Sequence, residues 1–553
     1  MSRHLRGVIA AFQKYAGLRL AMACAAGVLL NLAFAPFQWW SLGLLAPAAL
    51  FALIRGLPPR RAAVAGAAFG LGVYSFGTYW LYTCLHVFGL VPLWLTLLLQ
   101  AALVCILASY AAALCYAANR FWVKPGAIRD WLVLPALWVL LEWLRGWVLS
   151  GFPWLSLGYA FIDSPLAGWA PVLGVYGVTW AAAAAASGIN VLFGRGPSWA
   201  RRLVALVAVA VLCLGPLPLR NRAWTTPAGS PIPIAVVQGA VPQNLKWQAD
   251  NRDATMARYA RLNEQAWGAR IVVWPESALP VVADEIPDYL ANLRRRGRAH
   301  DADFAIGLVD YRAATQQYFN GLLVISGNSS SGDGHDDNIG DGDGDGGTTG
   351  VGSGVGAVGG WYYKRHLVPF GEYFPVPSVI RAWMRLMSLP YEDFTPGPAH
   401  QPTLSAAGQK LGLTICYEDA FGSSQLPVLR EATLLINVTN NAWFGDSTAP
   451  HQHLQIARMR ALEAGRFLIR STNDGITAVI GPHGGVVARL PQFREAVLHA
   501  EVQPLTGLTP YARMGNYPVV LGAVGALIFA VWRRRQGYEP LRPVAASSSI
   551  HSR

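Results

Sequence analysis

Up to about residue 219, the sequence is a succession of apolar runs separated by short basic or aromatic segments. A run of about 20 apolar residues is long enough to cross the hydrocarbon core of a bilayer as an α-helix. We predict seven such spans in this part of the chain and an eighth near its end. They lie near residues 17–34, 41–55, 62–84, 90–118, 131–149, 169–193, 203–219 and 518–532. The second and eighth are at the short limit for a spanning helix, so the sequence indicates an α-helical membrane bundle of about eight spans.

Charged residues are few and unevenly placed. They make up 14% of the chain, whereas about 25% is usual for a soluble domain, so this is not a soluble protein throughout. The 44 Lys and Arg against 31 Asp and Glu give a formal net charge of +13. In a soluble protein that charge would suggest nucleic acid as a partner. Whether it does so here depends on where along the chain the positive charge lies.

Lysine and arginine occur in only one set of alternate loops of the apolar part. That set includes Arg60, Arg120 and Arg201, and the loops between them, at residues 35–40, 85–92 and 150–168, contain neither residue type. Basic loops of membrane proteins stay in the cytoplasm. Both chain ends are therefore predicted to be cytoplasmic, and the segment after the seventh span is predicted to be exported. The positive charge then reflects topology, and nucleic acid is not an expected partner.

The pattern changes at residue 224. From there to residue 512, apolar segments of period two alternate with polar helical segments, which predicts an α/β domain with mixed sheets. Strands are predicted at 232–237, 270–274, 304–309, 322–325, 362–368, 411–415, 434–438, 467–471 and 477–480, and helices at 250–267, 287–298 and 451–464. The predicted organisation is a membrane domain over 1–223, an exported domain over 224–512, and an eighth span with a cytoplasmic tail over 513–553.

One stretch of the predicted exported domain has almost nothing to bury. Residues 327–360 are rich in glycine, aspartate and serine. Such a composition cannot bury enough apolar surface to offset the entropy of ordering. We therefore predict a disordered loop insertion there.

The six cysteines do not form a disulfide framework. Five of them lie in apolar runs, and only Cys416 lies in the polar part of the chain, which also excludes a zinc site built on cysteine. His451 and His453 lack carboxylate or thiolate partners at metal-ligand spacing, so we interpret them as structural.

Three segments place a reactive side chain at or near the end of a predicted strand. Glu276 follows the strand of RIVVWPES, Lys364 lies among the aromatic residues of WYYKRH, and Cys416 follows the strand of LGLTICYED. A buried glutamate beside tryptophan is expected to have a raised pKa and could act as a base near neutral pH. A cysteine delivered into a polar turn meets main-chain N–H groups that stabilise a thiolate and an oxyanion. Taken singly, each has a plainer alternative: a surface acid, a surface lysine and a small core residue.

Together, in this order and at these separations, the three segments resemble the Glu-Lys-Cys triad of the nitrilase superfamily. The spans around the α/β domain resemble one branch of that superfamily, the apolipoprotein N-acyltransferases. The segments GFPWLSLGY, VQGAVPQNLKW, NVTNNAWFGDS and RALEAGRFLIRSTNDG agree with that branch, and the resemblance covers essentially the entire chain. The Gly/Asp-rich insertion before Lys364 is the one clear departure from the family pattern.

The resemblance implies a nitrilase-type α-β-β-α sandwich for the exported domain. It also implies acyl transfer from a phospholipid to the N-terminal α-amino group of a diacylglyceryl-cysteine apolipoprotein. Cys416 would form a thioester with the acyl chain, Glu276 would be the general base, and Lys364 would hold the oxyanion. No cofactor or metal is implied. The family would place the protein in the bacterial inner membrane, in contact with membrane lipid, with its catalytic domain on the periplasmic face.

The same comparison with the family implies roles for four further residues. Glu372 would orient Lys364 and keep it charged. Tyr417 and Glu418 would fix the loop that carries the nucleophile, and Trp247 would line the access of substrate. Packing or turn support without direct chemistry is the alternative for each of the four.

Two other functions are open from the sequence. A membrane-tethered nitrilase-type amidohydrolase would use the same triad with water as the acceptor, although a soluble substrate would need neither eight spans nor export. A non-enzymatic membrane protein, such as a transporter or a scaffold with an exported binding domain, would have no need of the triad.

The fifth predicted span carries two charged residues inside an apolar run. Glu142 and Arg145 lie three apart and therefore face the same side of a helix. Charged side chains inside a membrane usually pair with one another or with main-chain carbonyls. Glu142 and Arg145 can therefore pair inside the bundle, and we interpret them as structural residues.

The predicted topology can be tested with reporter fusions. A phosphatase fused at residue 333 is expected to be active, because that enzyme requires export, and a fluorescent protein fused at residue 545 is expected to fluoresce. An active phosphatase at residue 545 would contradict the predicted orientation.

Overall fold

The computed structural model describes residues 3–122, 126–194, 197–326, 359–369, 371–373 and 393–536, with side chains from Tyr15 onwards. Most of the predicted insertion 327–360 and the predicted cytoplasmic tail after residue 536 lie outside these residues. The insertion was predicted too long at its end, because residues 359 and 360 begin a strand that pairs with its neighbour.

The described helices of ten or more residues are numbered α1 to α11. They are α1 (Arg3–Leu30), α2 (Leu42–Leu53), α3 (Pro59–Gly77), α4 (Leu93–Phe121), α5 (Leu134–Arg145), α6 (Ala170–Phe193), α7 (Trp199–Leu214), α8 (Arg252–Glu264), α9 (Pro287–His300), α10 (Ala449–Ala464) and α11 (Tyr517–Gln536). The three helices predicted in the α/β part correspond to α8, α9 and α10.

Five of the described helical segments are long and apolar enough to cross a membrane. They are Tyr15–Ala33, Leu93–Phe121, Pro165–Phe193, Trp199–Arg220 and Tyr517–Gln536. These coincide with the first, fourth, sixth, seventh and eighth predicted spans. The second predicted span is a shorter apolar helix, α2, and the third and fifth coincide with α3 and α5. The count of eight spans stays a prediction, as does the side of the membrane that each loop faces.

The described strands of three or more residues form two six-stranded sheets. They are β1 (Ile232–Gln238), β2 (Ile271–Val273), β3 (Asp303–Arg312), β4 (Gln317–Ile325), β5 (Gly359–Tyr363), β6 (Leu404–Ala406), β7 (Gln409–Ile415), β8 (Leu434–Thr439), β9 (Leu468–Thr472), β10 (Ala478–Ile480), β11 (Val486–Arg489) and β12 (Ala496–Val502). The first sheet has the order β12-β1-β2-β3-β4-β5 and the second the order β11-β10-β9-β8-β7-β6. In each sheet three adjacent strands are parallel, β1 to β3 and β7 to β9, and the other pairs are antiparallel. The predicted mixed sheets are thus confirmed.

One predicted strand extends too far. A strand was expected over 362–368, but β5 ends at Tyr363. The reason is that the main-chain N–H groups of Arg365 and His366 donate to the Glu418 carboxylate, at 2.7 and 3.2 Å, rather than to a neighbouring strand. The chain therefore leaves the sheet just where the candidate lysine, Lys364, begins a turn.

The two sheets pack face to face between helices, which is the predicted α-β-β-α sandwich. Apolar residues of β1 and β2 meet those of β7 and β8 in a shared core, including Val236, Val273, Leu413 and Val438. The other face of the first sheet packs against α8 and α9, and the other face of the second sheet packs against α10. This layering brings the ends of β2, β5 and β7 close together.

The α/β part sits on the membrane bundle mainly through α10. Helix α6 is interrupted at Gly174, whose φ is +68°, and the freed N–H of Val175 donates to Glu463 on α10 at 2.6 Å. Glu463 also forms an ion pair with Arg460 at 2.9 Å, and both side chains are buried. A buried ion pair that is also hydrogen-bonded across two elements fixes their relative position, because either partner left alone would be costly.

Glu142 and Arg145 form no direct ion pair with each other, although they lie within electrostatic range. Glu142 accepts hydrogen bonds from the Trp138 indole, the Thr179 hydroxyl and the Leu157 main chain, at 2.9–3.0 Å. Arg145 donates to the carbonyls of Phe152 and Trp154 and to the Ser156 hydroxyl. The two charged residues thus organise the segment that follows α5 instead of neutralising each other directly.

Candidate active site

Three strand ends deliver the predicted triad to one place. Glu276 lies three residues after β2, Lys364 directly follows β5, and Cys416 directly follows β7. Because β5 and β7 belong to facing sheets, the turns at their ends meet at one edge of the sandwich. The Lys364 ammonium lies 3.1 Å from the Glu276 carboxylate, and the Cys416 thiol lies within the electrostatic range of both. The structure thus brings the three predicted residues together.

The Glu276 carboxylate is buried, with 6% of the residue exposed, and is fully hydrogen-bonded. One oxygen accepts from Lys364 at 3.1 Å and from the Asn320 amide at 2.8 Å, and the other accepts from the Asn440 main chain at 2.8 Å. Burial alone would raise the pKa of Glu276, but Lys364, Asn320 and Asn440 together lower that pKa below its usual value. The expected raised pKa was therefore wrong, and this carboxylate is charged at neutral pH.

Lys364 is shared between two carboxylates. Its ammonium donates to Glu276 at 3.1 Å and to Glu372 at 2.8 Å, and only 1% of the residue is exposed. Burial works against its charged form, but the two carboxylates raise the pKa of Lys364 well above its usual value. Lys364 is therefore a fixed positive charge.

Cys416 adopts an unusual backbone conformation. Its φ is +53°, in the left-handed region that a side chain with a Cβ rarely adopts. Burial raises the pKa of the Cys416 thiol to about 12, and the Glu276 carboxylate adds to the rise, whereas Lys364 and Thr439 oppose it. The thiol is protonated at neutral pH, so a base must take its proton before it can act as a nucleophile.

Glu372 and Glu418 support the neighbours of the triad. Glu372 accepts from Lys364, from Asn320 at 2.8 Å and, with its second oxygen, from the Val368 main chain at 2.8 Å. Glu418 is 1% exposed, and it accepts from the main chains of Ile415, Arg365 and His366 and from the Tyr362 hydroxyl. Glu418 thus ties the turn that carries the lysine to the turn that carries the cysteine.

Tyr417 and Trp247 take different positions around the site. The Tyr417 hydroxyl donates to the Gly151 carbonyl at 3.2 Å, and its ring stacks on Trp154 at 6.2 Å, so it joins the cysteine turn to the segment after α5. Trp247 is 52% exposed and follows the short helix Gln243–Lys246. The preceding residue, Lys246, is buried and donates to the Glu276 carbonyl at 3.3 Å.

Sequence reasoning missed Asn320 and Asn440. Asn320 lies on β4 and donates to both Glu276 and Glu372, and Asn440 holds the second oxygen of Glu276. The available signal for Asn320 was an amide in the middle of the strand QYFNGLLVI, because a buried polar residue in a strand needs a partner. Within the part of the chain that the structure describes, no group of three or more His, Cys, Asp or Glu could hold a metal ion.

Comparisons with known proteins place the chain. A model of the apolipoprotein N-acyltransferase N-terminal domain matches residues 26–188, and a model of the carbon-nitrogen hydrolases matches residues 233–511. The apolipoprotein N-acyltransferase of Azotobacter vinelandii is 41% identical over 523 residues, which are 93% of this chain and 95% of the relative. The chain belongs to the apolipoprotein N-acyltransferase family.

Other members of this family give the same result. The relative from Ralstonia nicotianae is 40% identical over 541 residues, which cover 94% of this chain and 95% of its own length. Among solved structures, a carbon-nitrogen hydrolase from Helicobacter pylori G27 covers 58% of this chain and 99% of its own, with 17% identity and a TM-score of 0.35. Family membership therefore rests on the full-length relatives, and it confirms the resemblance seen in the sequence.

The electrostatics of the site predict how fast Cys416 is alkylated. The Glu276 charge raises the pKa of the thiol and the Lys364 charge lowers it. Since the alkylation rate follows the thiolate fraction, Glu276→Gln should speed the reaction at pH 8, and Lys364→Met should slow it, by roughly threefold to tenfold each. The measurement is mass spectrometry of the Cys416 peptide after iodoacetamide treatment.

Glu264→Gln is the matched control, because Glu264 is an exposed acid that pairs with Arg296. It should leave the alkylation rate unchanged. Thermal unfolding of each variant shows whether it is folded. A slower reaction in folded Glu276→Gln would contradict the assigned electrostatics.

Proposed function

We propose that this chain transfers an acyl chain from a phospholipid to the N-terminal α-amino group of a diacylglyceryl-cysteine apolipoprotein, through a thioester on Cys416. The observation that carries the proposal is the buried Lys364–Glu276 ion pair beside Cys416, which lies on a fold seated against a membrane bundle. Membership of the apolipoprotein N-acyltransferase family supports the same reaction.

In the first half-reaction, the Cys416 sulfur attacks the ester carbonyl of the phospholipid. Glu276 takes the thiol proton, and the new C–S bond places a negative charge on the former carbonyl oxygen. Lys364 and a main-chain N–H stabilise that oxyanion. When the intermediate collapses, the C–O bond breaks, Glu276 returns the proton to the lysophospholipid oxygen, and a thioester remains on Cys416.

In the second half-reaction, the α-amino group of the apolipoprotein attacks the thioester. Glu276 takes a proton from the nitrogen, and Lys364 again stabilises the oxyanion. The C–S bond then breaks, the amide is released, and the thiolate of Cys416 recovers a proton from Glu276. A carboxylate with a low pKa is a weak base, so the cycle needs Lys364 close by. Its charge stabilises the Glu276 carboxylate at rest and the oxyanion after the proton has moved to Glu276.

The supporting residues act on the triad in this proposal. Glu372 keeps Lys364 charged and directed at the site, and Glu418 joins the two catalytic turns. Tyr417 anchors the cysteine turn to the segment after α5, and Trp247 contacts the lipid substrates at the rim. Each of these four roles rests on geometry and on the family resemblance together.

We place the protein in the bacterial inner membrane as a multi-pass protein, with about eight spans and the α/β part on the periplasmic face. Both substrates carry acyl chains that stay in the bilayer, so the site has to open at the membrane surface. The distribution of lysine and arginine in the loops supports this orientation. Hydrolysis of a soluble amide, the competing function, would make no use of the bundle packed against α10.

Transfer can be tested in liposomes that contain one phospholipid donor and a synthetic peptide beginning with diacylglyceryl-cysteine. We expect the peptide to gain one acyl group by mass and the donor to yield one lysophospholipid. Cys416→Ala should abolish both, and Glu276→Gln should lower the rate by about 100-fold or more. Separate arms with ethanolamine and glycerol headgroups compare the donors.

Cys105→Ala is the matched control, because Cys105 is an exposed cysteine of α4, and it should leave transfer unchanged. Release of free fatty acid with an unmodified peptide would favour a hydrolase. Full transfer by Cys416→Ala would contradict the proposal.

A further inference from the structure

A buried polar cluster lies beside the main chain of Cys416. It contains Asp419, His453, Arg470 and Asn437, none of which is more than 1% exposed. Asp419 pairs with His453 at 2.9 Å and with Arg470 at 3.1 Å, and Arg470 also donates to Asn437 at 2.6 Å. The family triad makes no use of these groups, so their burial needs a reason.

Two residues of the cluster contact the main chain of Cys416. The Cys416 carbonyl accepts from the Asn437 amide at 3.3 Å and lies 3.3 Å from Nε2 of His453. Two donors on one carbonyl help to hold Cys416 in its left-handed conformation, with φ +53°, which costs free energy for a residue with a side chain. The cluster thereby fixes where the sulfur points.

The same histidine also connects to the sulfur side of Cys416. Nδ1 of His453 lies 3.2 Å from Oδ1 of Asn441, and the Thr439 hydroxyl lies 3.0 Å from that same oxygen. Thr439 follows Val438, which pairs with Ile415 across the parallel strands β7 and β8, so Thr439 lies alongside Cys416. Its hydroxyl acts as a hydrogen-bond partner that lowers the pKa of the Cys416 thiol. A continuous chain of polar contacts therefore runs from Asp419 through His453, Asn441 and Thr439 to the sulfur.

Proton positions along this chain follow from the partners. Burial and the neighbouring Arg470 lower the pKa of His453, so the ring is neutral and carries one N–H. Nε2 faces the Asp419 carboxylate and must hold that hydrogen, which leaves Nδ1 as an acceptor that needs a donor. The amide nitrogen of Asn441 is buried and has no partner among the described residues, and turning the amide over places this nitrogen against Nδ1.

The turned amide also determines where the hydrogen of the Thr439 hydroxyl points. The Asn441 nitrogen then donates to the Thr439 oxygen as well as to His453. Since that oxygen now accepts, its own hydrogen is free and is left to point at the sulfur of Cys416. The groups that link Asp419 to the thiol then each face a partner of the correct kind, and the Asn441 oxygen takes the buried position that its nitrogen left.

We propose that Thr439 is a further catalytic residue, which donates a hydrogen bond to the Cys416 thiolate, and that Asp419, His453 and Asn441 are positioning residues that orient its hydroxyl. The proposal deepens the proposed function and rests on it in taking Cys416 as the nucleophile. It supplies a second source of stabilisation for a thiolate that forms in a buried site.

The clean test is a pair of substitutions at Thr439. Thr439→Val keeps the shape and removes the hydroxyl, whereas Thr439→Ser keeps the hydroxyl. In Thr439→Val, the alkylation rate of Cys416 by iodoacetamide and the single-turnover acylation rate with phospholipid should each fall about tenfold, as a rise of one pKa unit implies. Thr439→Ser should stay within about twofold of the unchanged protein in both rates.

The alkylation rates are compared across pH 7–9, because other charges also face this thiol. They are Glu276, Lys364, Glu372 and Arg470, and the Cys84 thiol lies within electrostatic range on the bundle side. All of these remain in the Thr439 variants. If Thr439→Val is alkylated more slowly than the unchanged protein by the same factor at every pH in this interval, the difference is therefore assigned to the lost hydroxyl.

A double-mutant cycle tests the positioning residues. His453→Gln retains a donor for Asp419 and the Cys416 carbonyl but has no atom at the position of Nδ1, so it breaks only the link to Asn441. We expect the double variant with Thr439→Val to alkylate no more slowly than Thr439→Val alone, because both changes remove the same hydrogen bond. If the double variant is slowed by the product of the two single reductions in rate, the positioning role of His453 is wrong.

Arg466→Lys serves as a control for disturbing a buried polar group, since the Arg466 guanidinium donates to the main-chain carbonyls of Ala432, Gly465, Leu429 and Gly507. It should lower the unfolding temperature and leave both rates unchanged. If folded Thr439→Val keeps the alkylation rate, the proposal is wrong, even if acylation is slowed. Absence of an acyl group on Cys416 in the unchanged protein would refute the proposed function instead, while the alkylation test, which needs no lipid, would still decide the role of Thr439.

Discussion

The site depends on one buried cation shared by two carboxylates. Lys364 lies 2.8 Å from Glu372 and 3.1 Å from Glu276, and the lysine is 1% exposed. Removing three charges from water costs several kcal/mol for each ion, so such a cluster persists only with good geometry and additional hydrogen bonds. Asn320, the Val368 main chain and the Asn440 main chain supply those bonds. The sandwich is what holds these donors in place, because they come from both sheets.

This arrangement explains the opposite protonation states of Glu276, the proposed base, and Cys416, the proposed nucleophile. The ion pair keeps Glu276 charged, while burial and that same negative charge keep the Cys416 thiol protonated. A charged base beside a protonated thiol is the resting state that such an attack requires, since the base is then free to take the thiol proton. Lys364 serves both states, because its charge is available to any anion that develops between the two residues.

The membrane bundle is connected to the site by the segment after α5. Arg145 donates to two main-chain carbonyls of this segment. The Gly151 carbonyl accepts from the Tyr417 hydroxyl, and the Ser150 carbonyl lies 2.6 Å from the His366 ring. The Trp154 indole donates to Gln452 on α10 at 2.7 Å. A change in how the bundle packs would therefore reach the turns that carry both the lysine and the cysteine. This gives the spans a structural role besides anchoring.

Much of this architecture could be predicted from the sequence, because apolar strands that end in Glu276 and Cys416 are local patterns. The direction of the Glu276 pKa could not, since Lys364, Asn320 and Asn440, which together lower it, lie 88, 44 and 164 residues away along the chain. The same limit applies to Glu142 and Arg145, whose three-residue spacing shows that they share a helix face but not which carbonyls and hydroxyls arrive from elsewhere. Asn320 was missed because its partners Glu276 and Glu372 lie on separate turns. Thr439 was missed because only the pairing of β7 with β8 brings it beside Cys416.

The measurement that tests the account most directly is the intact mass of the protein after incubation with phospholipid alone. The account predicts a gain of one acyl group on Cys416 that neutral hydroxylamine removes, because thioesters are cleaved under conditions that spare ordinary esters. If the protein transfers acyl chains while no such group forms, or if the group maps to another residue, the account of the site is contradicted.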